Sequence, residues 1–292
     1  MNLLKRSRTF ATLIVTAGLL PLLEGFANRK KDLAQSLFYF EKTYGKYQYD
    51  IGFFGDSRTG FLQLKPFKMH IKNATLCNLA RGGGSINRLL LEAASMKVKE
   101  NGKRIFVFGL TPLDITQNPR ESCFIIGTFC LYFRALRSFY TEARKDPFPV
   151  RVKNKEIDLN ACFSSFRGYK ARFRAHPFLH SDFQHFVQNL KWCKRNNIKV
   201  VAYRMVSCRE MDELEDKLSG VDWNKIKQAV LDEGFVWLER PPSPLLEQIE
   251  EHCWDASHLN TEGAELFSNW LGQELAKLDW LKENQQTSET KK

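Results

Sequence analysis

Tyr49-Asp50-Ile51-Gly52-Phe53-Phe54 runs directly into Gly55-Asp56-Ser57-Arg58. A short, continuous apolar run bounded by a polar turn reads as a strand covered on both faces. The turn then places a serine at the strand tip. Far along the chain stands Asp255-Ala256-Ser257-His258-Leu259-Asn260, just before a helical pattern. Its aspartate and histidine are three positions apart. Together the two pieces supply a nucleophile, a base and an orienting carboxylate, the parts of a serine acyl-transfer site. Taken singly, each has a structural explanation: a turn serine, a capping histidine. Their order and their placement after predicted strands favour catalysis.

Working outward from Ser57, the pattern alternates. Strands are expected at Tyr49–Phe54, Thr75–Leu79, Arg104–Phe108, Lys199–Tyr203 and Phe235–Leu238. Between them, Thr59–Phe67 reads as a short helix or loop. Helices are expected at Ile86–Lys99, His180–Asn196, Trp223–Glu233 and Thr261–Leu278. Strands alternating with helices imply an α/β fold with a parallel sheet and helices on both faces. In such sheets the reactive loops follow the carboxyl ends of the strands. Ser57, Gly83, Thr111 and Asp255 to His258 all lie in such loops. The core domain is expected over 45–280. An insertion at about 115–178, rich in aromatics and arginine, is expected to carry some helix of its own and to pack over the site as a lid or platform. Residues 281–292 form a polar tail.

The 292 residues are 43% hydrophobic and 26% charged, with a net charge of +11. Residues 120–175 hold twelve Lys/Arg against five Asp/Glu. Such a face suits an anionic partner, or is simply a solvated basic surface. No nucleic-acid module accompanies it, so nucleic acid is not expected as a partner. Seven cysteines show neither a CxxC pair nor zinc-finger spacing, and no P-loop, GxGxxG, HExxH or EF-hand occurs. The sequence therefore implies no metal and no cofactor. Lys5, Arg6 and Arg8 precede the apolar run Phe10–Leu23, the pattern of an export signal. Residues 1–28 are read as a signal anchor or signal peptide, leaving the domain membrane-anchored outside the cytoplasm or exported. The alternative is an amphipathic or buried N-terminal helix.

These motifs resemble those of the SGNH (GDSL-like) hydrolase superfamily, over about 49–275 without 115–178. Gly55-Asp56-Ser57-Arg58 matches its first block, with Ser57 as nucleophile. Asn78-Leu79-Ala80-Arg81-Gly82-Gly83-Gly84-Ser85 resembles the second, in which Gly83 takes the place of the oxyanion glycine beside the Ser57 amide. Asp255 to Asn260 resembles the last block, giving Asp255 and His258 triad roles. The superfamily's Gly-x-Asn-Asp is replaced here by Gly109-Leu110-Thr111-Pro112-Leu113-Asp114. The usual oxyanion asparagine is thus missing, and Thr111 is the substitute candidate. That loop, the N-terminal segment and Ser-Arg at the nucleophile bring the chain closer to a subgroup acting on cell-envelope polymers. It includes lipoteichoic-acid D-alanylation and alginate O-acetylation proteins.

The resemblance implies a flavodoxin-like three-layer fold and acyl-ester transfer or hydrolysis on an envelope glycan or glycolipid. The implied partners are an anionic polysaccharide, teichoic-type polymer or glycolipid, and a membrane acyltransferase. The other readings are a carboxylesterase or lipase for small soluble esters, and an inactive SGNH-like domain that binds glycan or a partner. Arg58 and Arg81 flank the nucleophile and the glycine loop. They suit a phosphate or carboxylate on the acceptor, or they pair with Asp56, Asp114 or helix ends.

Overall fold

The apolar run beside Ser57 forms β1 (Ile51–Gly55), buried at every position. β1 pairs in parallel with β2 (Leu76–Asn78) on one side and β3 (Ile105–Leu110) on the other. β4 (Lys199–Arg204) joins β3, and β5 (Val236–Leu238) joins β4. All pairings are parallel, in the order β2-β1-β3-β4-β5. The computed structural model describes residues 48–80, 86–100, 104–116 and 157–280.

Side chains alternate across the sheet, so each strand feeds two cores. Ile51, Phe53, Ile105, Val107 and Val201 face one way, against α1 (Leu64–His70), α8 (Ser243–Glu251) and α9 (Thr261–Ala276). Phe54, Phe106, Phe108, Val200 and Ala202 face the other, against α2 (Arg88–Ser95), α5 (His180–Arg195) and α7 (Trp223–Asp232). Aromatic pairs fill both layers: Phe53 and Phe67 have ring centroids 4.9 Å apart, Phe54 and Phe106 4.6 Å. The result is a parallel sheet with helices on both faces, as the alternation implies, and it is consistent with the flavodoxin-like three-layer fold that the resemblance implies.

Side-chain caps start the helices where the sequence changes character. Asn87 accepts the Leu90 amide at 2.9 Å to open α2, Asp222 opens α7 and Asn260 opens α9. The remaining described helices are α3 (Pro112–Thr116), α4 (Leu159–Ala175) and α6 (Arg209–Leu218). α4 is the helix expected within the insertion. α3, α6 and α8 were not anticipated by periodicity. Residues 1–28, Arg81, Gly83, the tail and residues 117–156 of the insertion lie outside the described residues. Cys77, Cys193 and Cys253 are buried; burial pushes the Cys193 thiol up to about 12 and Cys253 higher still.

The pairing of β1 with β3 ends at Gly55 and Gly109, which are in register. A β-carbon on Gly55 would collide with the Thr59 hydroxyl oxygen and would meet the Gly109 carbonyl oxygen at 2.5 Å and Thr59 Cβ at 2.9 Å. Gly55 also has φ +153, which L side chains rarely adopt. Gly55→Ala is therefore expected to destabilise the fold by about 1–3 kcal/mol, the usual cost of overpacking. Urea unfolding checks this; a variant as stable as the parent would mean that the strand tips can spread.

Candidate active site

Ser57 stands in the turn after β1, at the carboxyl edge of the sheet. The Asp56 carboxylate shapes that turn by accepting the Arg58 backbone N–H at 2.8 Å. The Asp56 carbonyl accepts the Gly60 N–H at 3.2 Å, and the Arg58 carbonyl accepts the Phe61 N–H at 3.0 Å in a single 3-10 turn, Thr59–Phe61. Asn78, at the end of β2, donates to the Thr59 carbonyl at 2.9 Å and so braces this turn from the neighbouring strand.

The second piece is a tight hairpin between α8 and α9. Cys253 and Leu259 form an antiparallel bridge, and the Asn260 N–H donates to the His252 carbonyl at 2.8 Å. Asn260 also caps α9 through the Glu262 and Gly263 amides, each at 3.0 Å. A β-carbon on Gly263 would sit 2.5 Å from the His252 carbonyl oxygen, so only glycine lets the helix close against the hairpin.

These two devices bring the sequence-predicted residues together. Ser57 Oγ lies 2.8 Å from His258 Nε2. On the far side of the ring, Nδ1 lies 2.9 Å from Asp255 Oδ2 and 3.0 Å from Oδ1. Asp255 Oδ1 also accepts the Ser257 N–H at 2.7 Å, the His258 N–H at 2.8 Å and the Ser257 hydroxyl at 3.0 Å. Burial pushes the Asp255 carboxyl up, but the bonds and charge of His258 and the two amides outweigh it. The net result holds Asp255 below the usual carboxylate range. An ionised Asp255 can only accept, so Nδ1 carries the proton and Nε2 is free to accept from Ser57. Trp254 stacks on the imidazole with centroids 5.5 Å apart at 22°, and Phe61 covers it at 5.2 Å.

Arg58 is placed differently from an acceptor-facing cation. Its side chain is 1% exposed and points into the protein. There it donates through both terminal nitrogens to the two carboxylate oxygens of Glu215 on α6. Its Nε lies 3.8 Å from Asp56 Oδ2, and the Tyr169 ring of α4 lies 5.3 Å from the guanidinium. Burial opposes the charge, but Glu215, Tyr169 and Asp56 outweigh it and push the Arg58 pKa well above its ordinary value. Arg58 therefore pairs with acids, as the structural alternative holds. Glu215, Tyr169 and Trp254 are not marked by anything in the sequence, and Asn78 and Ser257, though within the quoted motifs, carry no expected role there.

Thr111 is likewise turned inward and is 1% exposed. Its hydroxyl lies 2.9 Å from Asp114 Oδ2 and 3.1 Å from Asp56 Oδ2, and its N–H donates to Asp114 Oδ2 at 3.1 Å. One hydroxyl proton cannot serve two carboxylates, so one acid must carry its own. Burial, then the adjacent Asp56 charge, push Asp114 well above the carboxylate range, so of the two acids Asp114 holds a proton the more readily. The Thr111 hydroxyl is thus committed beneath the nucleophile turn and is not directed at an oxyanion. Among the described residues no group of three or more His, Cys, Asp and Glu is placed to hold a metal. In comparisons with known proteins, the chain matches no family model and no curated protein.

Two substitutions test the buried bracing. Thr111→Val leaves two buried carboxyls without their shared hydroxyl and is expected to cost about 1–3 kcal/mol, the desolvation penalty of an unmet polar group. Glu215→Gln removes the two-pronged counter-charge and leaves buried Arg58 with only the longer 3.8 Å contact to Asp56, at roughly 3–5 kcal/mol. Guanidinium unfolding of each variant measures both. A Glu215→Gln loss below that of Thr111→Val would mean that water reaches the guanidinium.

Proposed function

We propose that the chain is a serine-dependent acyl-ester transferase or hydrolase of SGNH type, acting on a cell-envelope glycan or glycolipid. The observation that carries this reading is the unbroken line from Ser57 Oγ to His258 Nε2 at 2.8 Å and from Nδ1 to Asp255 at 2.9 Å. Such a line is what general-base activation of a hydroxyl needs. The inferred envelope location is supported by the basic-then-apolar pattern of residues 1–28, and the inferred anionic acceptor by the net charge of +11.

In this reading Ser57 Oγ attacks the ester carbonyl carbon while its proton passes to Nε2. Asp255 stabilises the imidazolium that forms. The carbonyl oxygen takes up the negative charge, and the Ser57 amide with Gly83 are its proposed donors. The intermediate collapses by breaking the bond to the leaving alcohol, which takes the proton from Nε2. Ser57 is left as an acyl ester. A second hydroxyl, from an acceptor glycan or from water, then gives its proton to Nε2 and attacks the acyl carbon; the bond to Ser57 Oγ breaks, and Oγ takes the proton back from Nε2. Transfer and hydrolysis differ only in that second hydroxyl. Arg58 has no part in holding the acceptor, because Glu215 occupies it.

Ser57→Ala and His258→Ala are each expected to lower ester turnover by about 10⁴–10⁶-fold with the fold intact; Asp255→Ala should cost roughly two orders of magnitude less. A fluorophosphonate probe should label Ser57 in the parent and nothing in Ser57→Ala. A parent that is not labelled would leave a binding domain as the better reading.

A further inference from the structure

α4 begins at the hairpin that holds the triad: the Asp158 N–H donates to the Trp254 carbonyl at 3.0 Å, and Trp254 stacks on His258. Its inward side carries Tyr169, over Arg58, and the buried Phe173. Its outward side is unusual. Leu159 is 69% exposed and Phe163 74% exposed, and Ile157 just before the helix is 57% exposed. Water contact on three large apolar side chains within seven residues costs free energy unless a partner covers them.

Helical spacing extends that outward side. Leu159, Phe163, Arg167, Lys170 and Arg174 follow at intervals of four, four, three and four, so they form one stripe about 22 Å long. All five are exposed. The helix has four basic residues, counting Arg172, and no acidic one. The stripe is therefore apolar where it meets the triad hairpin and cationic beyond it.

We propose that this stripe seats the protein on an anionic lipid surface, with Ile157, Leu159 and Phe163 in the acyl boundary and Arg167, Lys170 and Arg174 among the headgroups. One occupant then accounts for both halves. A sugar–phosphate polymer would satisfy the cations but leave the three apolar side chains in water. Seating by this stripe places Ser57 and His258 at the lipid–water boundary, so that substrate is drawn from the bilayer and not from bulk solution. The mode differs from spanning: among the described residues no helix is long and apolar enough to cross a membrane. The source of the substrate rests on the proposed function, whereas the seating itself stands apart from the serine chemistry and survives even if Ser57 proves inert.

The test uses full-length protein carrying Phe163→Trp, with the parent as baseline for its six native tryptophans. Fluorescence is read with vesicles whose acyl chains are brominated, made either of phosphatidylcholine alone or with phosphatidylglycerol added. The expected result is extra quenching of the new indole in the anionic vesicles only. The added triple substitution Arg167→Gln, Lys170→Gln, Arg174→Gln should lower the seating equilibrium roughly hundredfold, at about fivefold per cation. High salt should act in the same direction. Vesicle binding without extra quenching would mean that another segment anchors the protein, and would overturn the proposal. Equal quenching in both vesicle types would remove the role of the cations and overturn it as stated. A response to soluble polyphosphate but not to vesicles would assign the stripe to a polymer. Buried-type emission before any vesicle is added would mean that the chain itself, such as residues 117–156, covers the face.

Discussion

A guanidinium that is almost wholly removed from water must find a fixed counter-charge, and Arg58 meets that requirement one peptide bond from Ser57. Its partner, Glu215, comes from α6, its aromatic cover from α4, and its third neighbour, Asp56, from the turn itself. The β1 turn, α4 and α6 are far apart in sequence and are brought to one point by this single charge. A buried ion pair adds little net stability compared with an apolar substitute of the same shape. Its contribution here is positional, because any shift of α4 or α6 relative to the turn would open the pair. The nucleophile is thus located by electrostatics behind it as well as by the strand that carries it.

Base and nucleophile are held by unrelated means. The Ser57 turn is braced by Asp56, Asn78 and the Thr111–Asp114 pair, all under the sheet edge. His258 sits on a hairpin clamped to the start of α9 by Asn260 and by the close packing of Gly263. Both supports are mainly hydrogen bonds to backbone groups, which fix direction as well as distance. Little side-chain freedom remains at the 2.8 Å contact where they meet.

The strands were legible because strands buried on both faces are written as unbroken apolar runs, as Ile105–Leu110 is. The triad was legible because Ser57, Asp255 and His258 are of the right type and lie in loops that the topology gathers at one edge. α6 was not legible. Its buried positions include Asp212 and Glu215, acids whose arginine partners, Arg240 and Arg58 respectively, are distant in sequence, so the hydrophobic period is broken where the helix packs. The inward turn of Arg58 was hidden for the same reason: a charged residue's destination depends on a counter-charge that local sequence does not reveal. Thr111 was read by analogy with an oxyanion donor. The two carboxyls that claim its hydroxyl become neighbours only when β1 and β3 pair.

Among the described residues the two outermost strands, β2 and β5, have three residues each, whereas β3 and β4 have six. A sheet border is a row of unpaired amides and carbonyls on which another chain can crystallise its own strand. Here either border offers too short a row to hold an incoming strand in register. Copies gathered at high density in two dimensions would therefore meet side by side without templating one another into fibrils, and the fold can be concentrated without a dedicated guard over its sheet.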